Sequence, residues 1–330
     1  MIYKYNSARC HPLAARETGK FILQKIAKTR GVKGAASWCA LAAVGYLAIR
    51  SLLEAFVSFL MGLRVPGATL ASPTGFSQTE AGILSMVAAV GGILIPVFLL
   101  LRVTRLRADD LRLLIPAPWS PAFCLPVFLG IANAANLFGG LLGHLLGTEG
   151  SATPLPAGGS ALVVNFIGLC LVPAILEELF FRGALQGLMR PCGSAAAIFA
   201  PALLFALLHM DLAQGITAFV CGVFLGWLTE RTGSILPGML LHFVNNTIAF
   251  IVAYLQLYAA DSTALFSELF VLLFFPPVAL WLIWHAMRQG FRFSAGLRPG
   301  VDAWAVFSSP AYTVAVVFLA LFSVYLNQVG

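Results

Sequence analysis

The chain has 330 residues, of which 60% are hydrophobic and only 10% are charged, and its mean hydropathy is +0.91. Soluble domains typically carry about 25% charged residues, so this composition excludes a soluble protein and predicts that lipid surrounds most of the chain. A net charge of +7 would suit nucleic-acid binding in a soluble protein. Here the basic residues concentrate at the ends of apolar segments, as membrane topology requires. We therefore predict an integral membrane protein that binds no nucleic acid.

Residues 1–36 form a basic N-terminal segment, in which Glu17 is the single acidic residue. The segment is too long and too charged for the basic region of a cleaved signal peptide, and the apolar run that follows is too long as well. Two interpretations stay open. The segment is either a solvated basic tail that fixes the orientation of the protein or a short amphipathic helix on the membrane surface.

The rest of the chain contains nine apolar runs of the length that crosses a bilayer, which is about 20 residues. These runs are 37–63, 82–103, 120–147, 160–189, 194–210, 214–229, 234–259, 264–286 and 303–326. The fifth and sixth runs are short and closely linked, so we expect eight or nine transmembrane helices. The predicted fold class is all-α, a polytopic transmembrane helix bundle.

The distribution of basic residues predicts the orientation of these spans. With the N-terminus inside, the basic segments 1–36, 102–112 and 288–298 all fall on the cytoplasmic side. The intervening loops are poor in Lys and Arg, as expected of loops on the non-cytoplasmic side of the membrane. We predict a multi-pass protein of the plasma (inner) membrane with a cytoplasmic N-terminus.

The segment 169–190, LCLVPAILEELFFRGALQGLMR, places three charged residues in an apolar helix. A charge at the membrane centre costs about 2.5–3.5 kcal/mol on insertion scales, and such residues usually mark function. Glu178 and Arg182 are four residues apart and can pair along the helix. Glu177 is rotated by about 100° and has no partner on its own helix. This isolation makes Glu177 a candidate general base.

Pro173 lies four residues before Glu177 and cannot donate a helical hydrogen bond. It predicts a helix that is kinked or loosened beside the two acids. The alternative to a catalytic role is an ion pair between Glu178 and Arg182 that only holds helices together. That alternative leaves Glu177 without an explanation.

The two following polar-bearing helices add His209, His242 and Asn246. Each polar group inside lipid needs a partner, and together these groups can satisfy one another around a wet cavity. His209 and Glu178 lie at similar distances from the turn at Cys192 and therefore at similar depth. His242 comes only nine residues after a turn at Gly233, so it reaches this depth only if its helix is tilted or the turn is recessed.

This set of side chains suits the hydrolysis of a peptide bond without a covalent intermediate. A Glu and a His can activate water, and a second His with an Asn amide can stabilise an oxyanion. The nucleophile elbow GxSxG is absent from the sequence. Zinc is the alternative, since two His and one Glu form a known catalytic zinc set. Because HExxH is absent, we predict a site without a metal or other cofactor, and a zinc-dependent metalloprotease stays the alternative.

The motifs EELFFR, FALLH and HFVNN, in this order and inside apolar helices, resemble those of the CPBP intramembrane proteases. These are the type II CAAX-processing endopeptidases and their bacterial relatives linked to bacteriocin processing and immunity. The resemblance covers roughly residues 158–260, preceded by transmembrane helices in 37–157 and followed by others in 261–330.

The resemblance implies a glutamate-dependent endopeptidase that acts on a membrane protein or peptide. Glu177 and His209 would activate water, and His242 and Asn246 would form the oxyanion site. Glu178 and Arg182 would support them. All six residues keep the family pattern in this sequence.

Two other classes of function compete with the endopeptidase. One is a non-catalytic immunity or scaffold protein, and the other is a transporter with a buried proton relay. The complete set of acids, histidines and amide favours the enzyme, because a scaffold has no use for an oxyanion site. A transporter built from inverted repeats would show paired broken helices in two matching halves, which the sequence does not show. The sequence predicts neither the substrate nor whether it is prenylated.

Overall fold

The computed structural model describes residues 31–63, 76–147, 155–294 and 297–329, with the side chains of 327–329 left aside. The described chain is helical and contains no strand. This confirms the predicted all-α fold. Most of the basic N-terminal segment lies outside the described residues, so both interpretations of it stay open.

Nine principal helices make up the described part of the chain. They are α1 (Val32–Leu63), α2 (Gln78–Thr104), α3 (Pro121–Leu146), α4 (Gly159–Cys192), α5 (Ser194–Leu207), α6 (Leu212–Thr232), α7 (Leu236–Tyr258), α8 (Asp261–Arg288) and α9 (Pro310–Val329). Seven are long and apolar enough to cross a membrane, and α5 and α9 are shorter apolar helices. The chain is thus a multi-pass helical bundle, and each predicted span has its helix.

The ends of two helices differ from the predicted bounds. Helix α1 begins at Val32, inside the segment that we predicted as a tail. Helix α9 begins at Pro310, because residues Ala303–Ser308 form a 3-10 helix instead. Proline suits the first turn of a helix, where its missing N–H is not needed.

Helix α4 is not a regular α-helix, which confirms the loosening predicted from Pro173. Its backbone is π-helical over Ile167–Leu171 and again over Glu178–Leu185, with α-helical Val172–Glu177 between. Pro173 is the second residue after the first π-helical segment. Such wide turns occur frequently at functional sites.

Two predicted basic segments meet at one end of the bundle, which we call the basic end. Three arginines surround the buried carboxylate of Glu230, at 3.4 Å for Arg112, 3.1 Å for Arg190 and 2.9 Å for Arg298. Burial lowers the pKa of Arg112, and the adjacent Glu230 carboxylate opposes that shift. The segments 102–112 and 288–298 therefore lie on the same side, as predicted, while the cytoplasmic location of this side stays a prediction.

The turn between α6 and α7 is covered by the chain that precedes α3. The N–H of Ile235 donates to the carbonyl of Arg112 at 3.1 Å, and the Ser234 hydroxyl donates to the carbonyl of Leu114 at 2.6 Å. Both turn residues are fully buried. Helix α7 thus starts beneath this segment, and its contacts show that His242 reaches the two glutamates.

Buried apolar side chains form two clusters on either side of α5. One surrounds the second half of α4 with α1, α5 and α9, and the other joins α3 to α6. The described cysteines are free thiols, and four of the five are buried. They pack as small apolar side chains.

Candidate active site

The imidazole of His242 joins the two glutamates of α4. Its Nδ1 lies 3.1 Å from Glu178 Oε1, and its Nε2 lies 3.9 Å from Glu177 Oε2. A carboxylate only accepts hydrogen bonds, so Nδ1 of His242 carries the proton in the shorter contact. Glu177, predicted to lack a partner on its own helix, thus has a neighbour from α7.

The two glutamates lie in different environments. The Glu178 side chain is fully buried, whereas 19% of the Glu177 side chain is exposed. A molecule that enters the site can therefore touch the Glu177 side chain but not that of Glu178. The roles predicted for the two glutamates stay predictions.

Glu178 and Arg182 form the predicted ion pair, with Oε1 and Nη1 3.0 Å apart. The contact is an ion pair without hydrogen-bond geometry. Within the described chain, Glu178 Oε2 and both terminal nitrogens of Arg182 have no hydrogen-bond partner. The Arg182 guanidinium also lies over the ring of Phe205, 4.6 Å from its centroid. Aromatic and ionic contacts together hold this charge away from lipid.

Gly238 lets α7 approach the ion pair. A Cβ atom at this position would lie 3.1 Å from Glu178 Oε2. Gly238 is buried one turn before His242, so the close approach also sets the distance from the imidazole to Glu178. A glycine in the run LPGMLLH is therefore part of what positions the site.

Asn246 replaces a hydrogen bond that Pro173 removes. Proline has no N–H, so it leaves the carbonyl four residues earlier in the helix without its usual donor. That carbonyl belongs to Leu169, and the Asn246 amide donates to it at 3.2 Å. An amide nitrogen carries two N–H groups, and the second is available to another acceptor. The carbonyl partner of Asn246 was not predicted from the sequence.

His209 lies just beyond the end of α5 and borders the network through an aromatic ring. Its Nδ1 donates to the carbonyl of Phe205 at 2.8 Å, which leaves Nε2 as the acceptor in the neutral ring. The Phe205 ring contacts both imidazoles, with centroids 4.7 Å from His209 and 6.3 Å from His242. In the described chain no hydrogen bond or ion pair joins His209 to either glutamate.

Sequence reasoning missed a polar group on α1. Arg50 donates to Glu54 at 2.8 Å and to the Tyr46 hydroxyl at 2.9 Å. The Tyr46 ring contacts Phe180 of α4, with centroids 5.7 Å apart, and its hydroxyl lies within electrostatic range of Glu177. The signal was present in the sequence, since Arg50 and Glu54 are charges four residues apart in an apolar span, as are Glu178 and Arg182.

Glu230 was also missed, although it organises the basic end. Besides the three arginines it accepts hydrogen bonds from the Ser194 hydroxyl at 3.0 Å and from the Gln186 amide at 3.1 Å. Gln186 lies one turn after Arg182 on α4, so this cluster and the candidate site share a helix. Glu230 sits near the end of an apolar run, where an acid looks like an ordinary surface residue.

A comparison with protein-family models matches residues 159–248 to the family described as type II CAAX prenyl endopeptidase Rce1-like. The matched segment begins where α4 begins and contains all six predicted site residues. No curated protein and no solved structure matches the chain. The match covers about a quarter of the chain, and it supports the resemblance to the type II CAAX endopeptidases over residues 159–248.

Proposed function

We propose that this protein is an intramembrane endopeptidase that hydrolyses a peptide bond of a membrane-associated protein or peptide. The observation that supports this most directly is the contact of His242 with both Glu177 and Glu178. Charged groups inside a bundle are costly and usually functional. The family match suggests the same class of activity.

In the proposed reaction Glu177 is the general base, because it is the glutamate that water can reach. It takes a proton from water, and the water oxygen attacks the carbonyl carbon of the peptide bond. When the C–N bond breaks, the proton passes to the leaving nitrogen, so one water molecule is consumed. General acid–base catalysis of this kind contributes about 10²–10⁴-fold to a rate.

Hydrogen-bond donors must stabilise the negative charge that develops on the carbonyl oxygen. Asn246 is one turn from His242 on α7 and has a second N–H that Leu169 does not use. We assign these two side chains to the oxyanion, as the resemblance implies, and this role requires a proton on Nε2 of His242 as well as on Nδ1. His209 offers its Nε2 as an acceptor at the edge of the site, and we assign it to positioning the water together with Glu177.

We propose that the reaction needs no metal ion. A zinc set of two His and one Glu would require both imidazoles and a glutamate around one point. His242 lies beside the glutamates, whereas the contacts of His209 are with Phe205. Within the described residues, no group of three His, Cys, Asp or Glu side chains is arranged to hold a metal ion.

The proposal is tested with purified protein in liposomes and a panel of membrane peptides, with cleavage read by mass spectrometry. We expect Glu177→Gln and His209→Ala to abolish or strongly reduce cleavage, and His285→Ala, in the last turn of α8, to leave it unchanged. Unchanged cleavage in both site variants would refute the proposed roles. Loss of cleavage on chelation that zinc restores would refute the metal-free reaction.

A further inference from the structure

A cavity of about 430 Å³ lies between α3, α6, α7 and α8. Most ligand sites in proteins are apolar with a few placed polar groups, and their volumes are about 300–1,000 Å³. This one has an unusual number of polar side chains for a bundle in lipid. They are Asn133, Asn136, Thr217, Asn245, Gln256 and Glu268.

The cavity lies beside the candidate active site, along one face of α7. Asn245 and Ala249 line the cavity and follow His242 by three and seven residues, which places all three on the same side of the helix. Asn245 also contacts the amide of Asn246 at 3.5 Å. Gln256, at the far end, is 14 residues from His242 in sequence, which is about 21 Å along the helix axis.

The cavity carries the carboxylate of Glu268, an exposed side chain that a ligand in the cavity can reach. Glu268 accepts a hydrogen bond from the neutral amide of Gln256, and none of the described residues that line the cavity is Lys or Arg. The sequence 243–287 contains no basic residue other than His285. Glu268 lies seven residues into α8, about 10 Å from its start. A carboxylate at such a place is costly unless a cation binds there.

The amides of the cavity can accept further hydrogen bonds. Asn133 uses its N–H on the carbonyl of Leu129 in its own helix, which leaves its side-chain oxygen as an acceptor. Asn136, about one turn later on the same face of α3, adds a second amide oxygen. An ammonium or guanidinium group has only donors, and it pairs most strongly with a carboxylate. The chemistry of the wall therefore suits a cationic side chain.

We propose that this cavity binds a Lys or Arg side chain of the peptide substrate and so determines which peptides are cut. This inference rests on the proposed endopeptidase activity. An extended peptide advances about 3.3–3.6 Å per residue. The distance to be spanned is the roughly 21 Å along α7 from His242 to the Glu268 end, less the reach of a long basic side chain. The basic residue is therefore expected about four to six positions from the scissile bond.

The test uses a library of membrane-peptide sequences in liposomes, with cut positions read by mass spectrometry. We expect the wild-type protein to prefer peptides with Lys or Arg about four to six residues from the cut by at least tenfold over Leu. Glu268→Gln should abolish this preference, and Glu268→Lys should favour Asp or Glu at the same place. Asp261→Asn, an acid of the same hairpin that does not line the cavity, is the matched control and should keep the wild-type preference.

Binding is measured separately in the inactive Glu177→Gln background, with fluorescently labelled Lys-containing and Leu-containing peptides. Folded protein is verified by size-exclusion chromatography, and we expect Glu268→Gln to weaken only the Lys-containing peptide. Absence of any cleavage by the wild type would refute the proposed activity itself. Cleavage without a basic preference, or a preference that Glu268→Gln leaves intact, would refute the cavity assignment alone. A Glu268 effect seen only with phosphatidylethanolamine would assign the cavity to a lipid ammonium and refute the peptide proposal.

Discussion

His242 Nδ1 lies 3.1 Å from Glu178 Oε1, across a separation of 64 residues in the sequence. Glu178 is also the partner of Arg182, so one buried carboxylate faces an imidazole and a guanidinium at once. This geometry supports the proposed division of roles, in which Glu178 compensates the buried arginine and orients His242 while the more exposed Glu177 acts as the base.

Replacing Glu178 with Gln should destabilise the protein strongly. It leaves the guanidinium of Arg182, only 2% exposed, without a counter-ion, and removing one partner of a buried pair costs about 3–5 kcal/mol. The measurement is thermal unfolding of purified variants in one detergent. The double variant Glu178→Gln/Arg182→Met should recover much of the loss, and Glu177→Gln should show little. Equal melting temperatures for both single glutamate variants would contradict the assignment.

Asn246 and Pro173 should be energetically coupled. Asn246→Leu removes the donor to the Leu169 carbonyl, which belongs to a candidate membrane span, and an acceptor left unsatisfied away from water costs about 1–3 kcal/mol. Pro173→Ala restores a backbone N–H that can take over this carbonyl. We therefore expect Asn246→Leu to cost less stability in the Pro173→Ala background than in the wild type. A double-mutant cycle of unfolding free energies measures the difference, and strict additivity would show that the two residues act independently.

Gly238→Ala should impair activity more than it impairs folding. The added Cβ would lie 3.1 Å from Glu178 Oε2, so either α7 or the carboxylate, whose Oε1 contacts Arg182 and His242, must shift. Overpacking of this kind costs about 1–3 kcal/mol. The matched control is Gly140→Ala in α3, where a Cβ meets no atom within 4 Å. Peptide cleavage rates and melting temperatures are compared, and identical behaviour of the two variants would rule out a role for Gly238.

The arginines around Glu230 should contribute unequally to stability. Arg190 is 9% exposed and also donates to the carbonyls of Asp110 and Arg182, whereas Arg298 is 39% exposed. Solvent screens the exposed pair, so Arg298→Gln should cost about 1 kcal/mol or less. Arg190→Gln leaves three hydrogen bonds unmade and should lower the melting temperature clearly more. A larger loss for Arg298→Gln would contradict this order.

Local patterns predicted what depends on neighbours along one helix. Composition indicated a membrane bundle, apolar runs located nine helices, and the spacing of Glu178 and Arg182 predicted their ion pair, because residues four apart share a face. Pro173 predicted the loosened backbone of α4 for the same local reason. The spacing of Arg50 and Glu54, also four residues apart, would have predicted their ion pair in the same way.

Contacts between helices could not be derived in this way. Helical rise placed His209 at the depth of Glu178 and His242 nearer the surface, yet His242 makes the contact and His209 packs on Phe205. The position of α7 depends on the buried turn at Ser234 and Ile235, which is hydrogen-bonded to a segment more than 100 residues away in the chain.

The sequence by itself determined the membrane fold, the set of polar residues in its core and the pairing of Glu178 with Arg182. The tertiary structure decided which histidine meets the glutamates, which carbonyl Asn246 satisfies and where the cavity with Glu268 lies. The physical reason is that these depend on the crossing and relative depth of helices. Both are set by packing between segments far apart in the chain, as at Gly238. The helical periodicity of the sequence does not predict such packing.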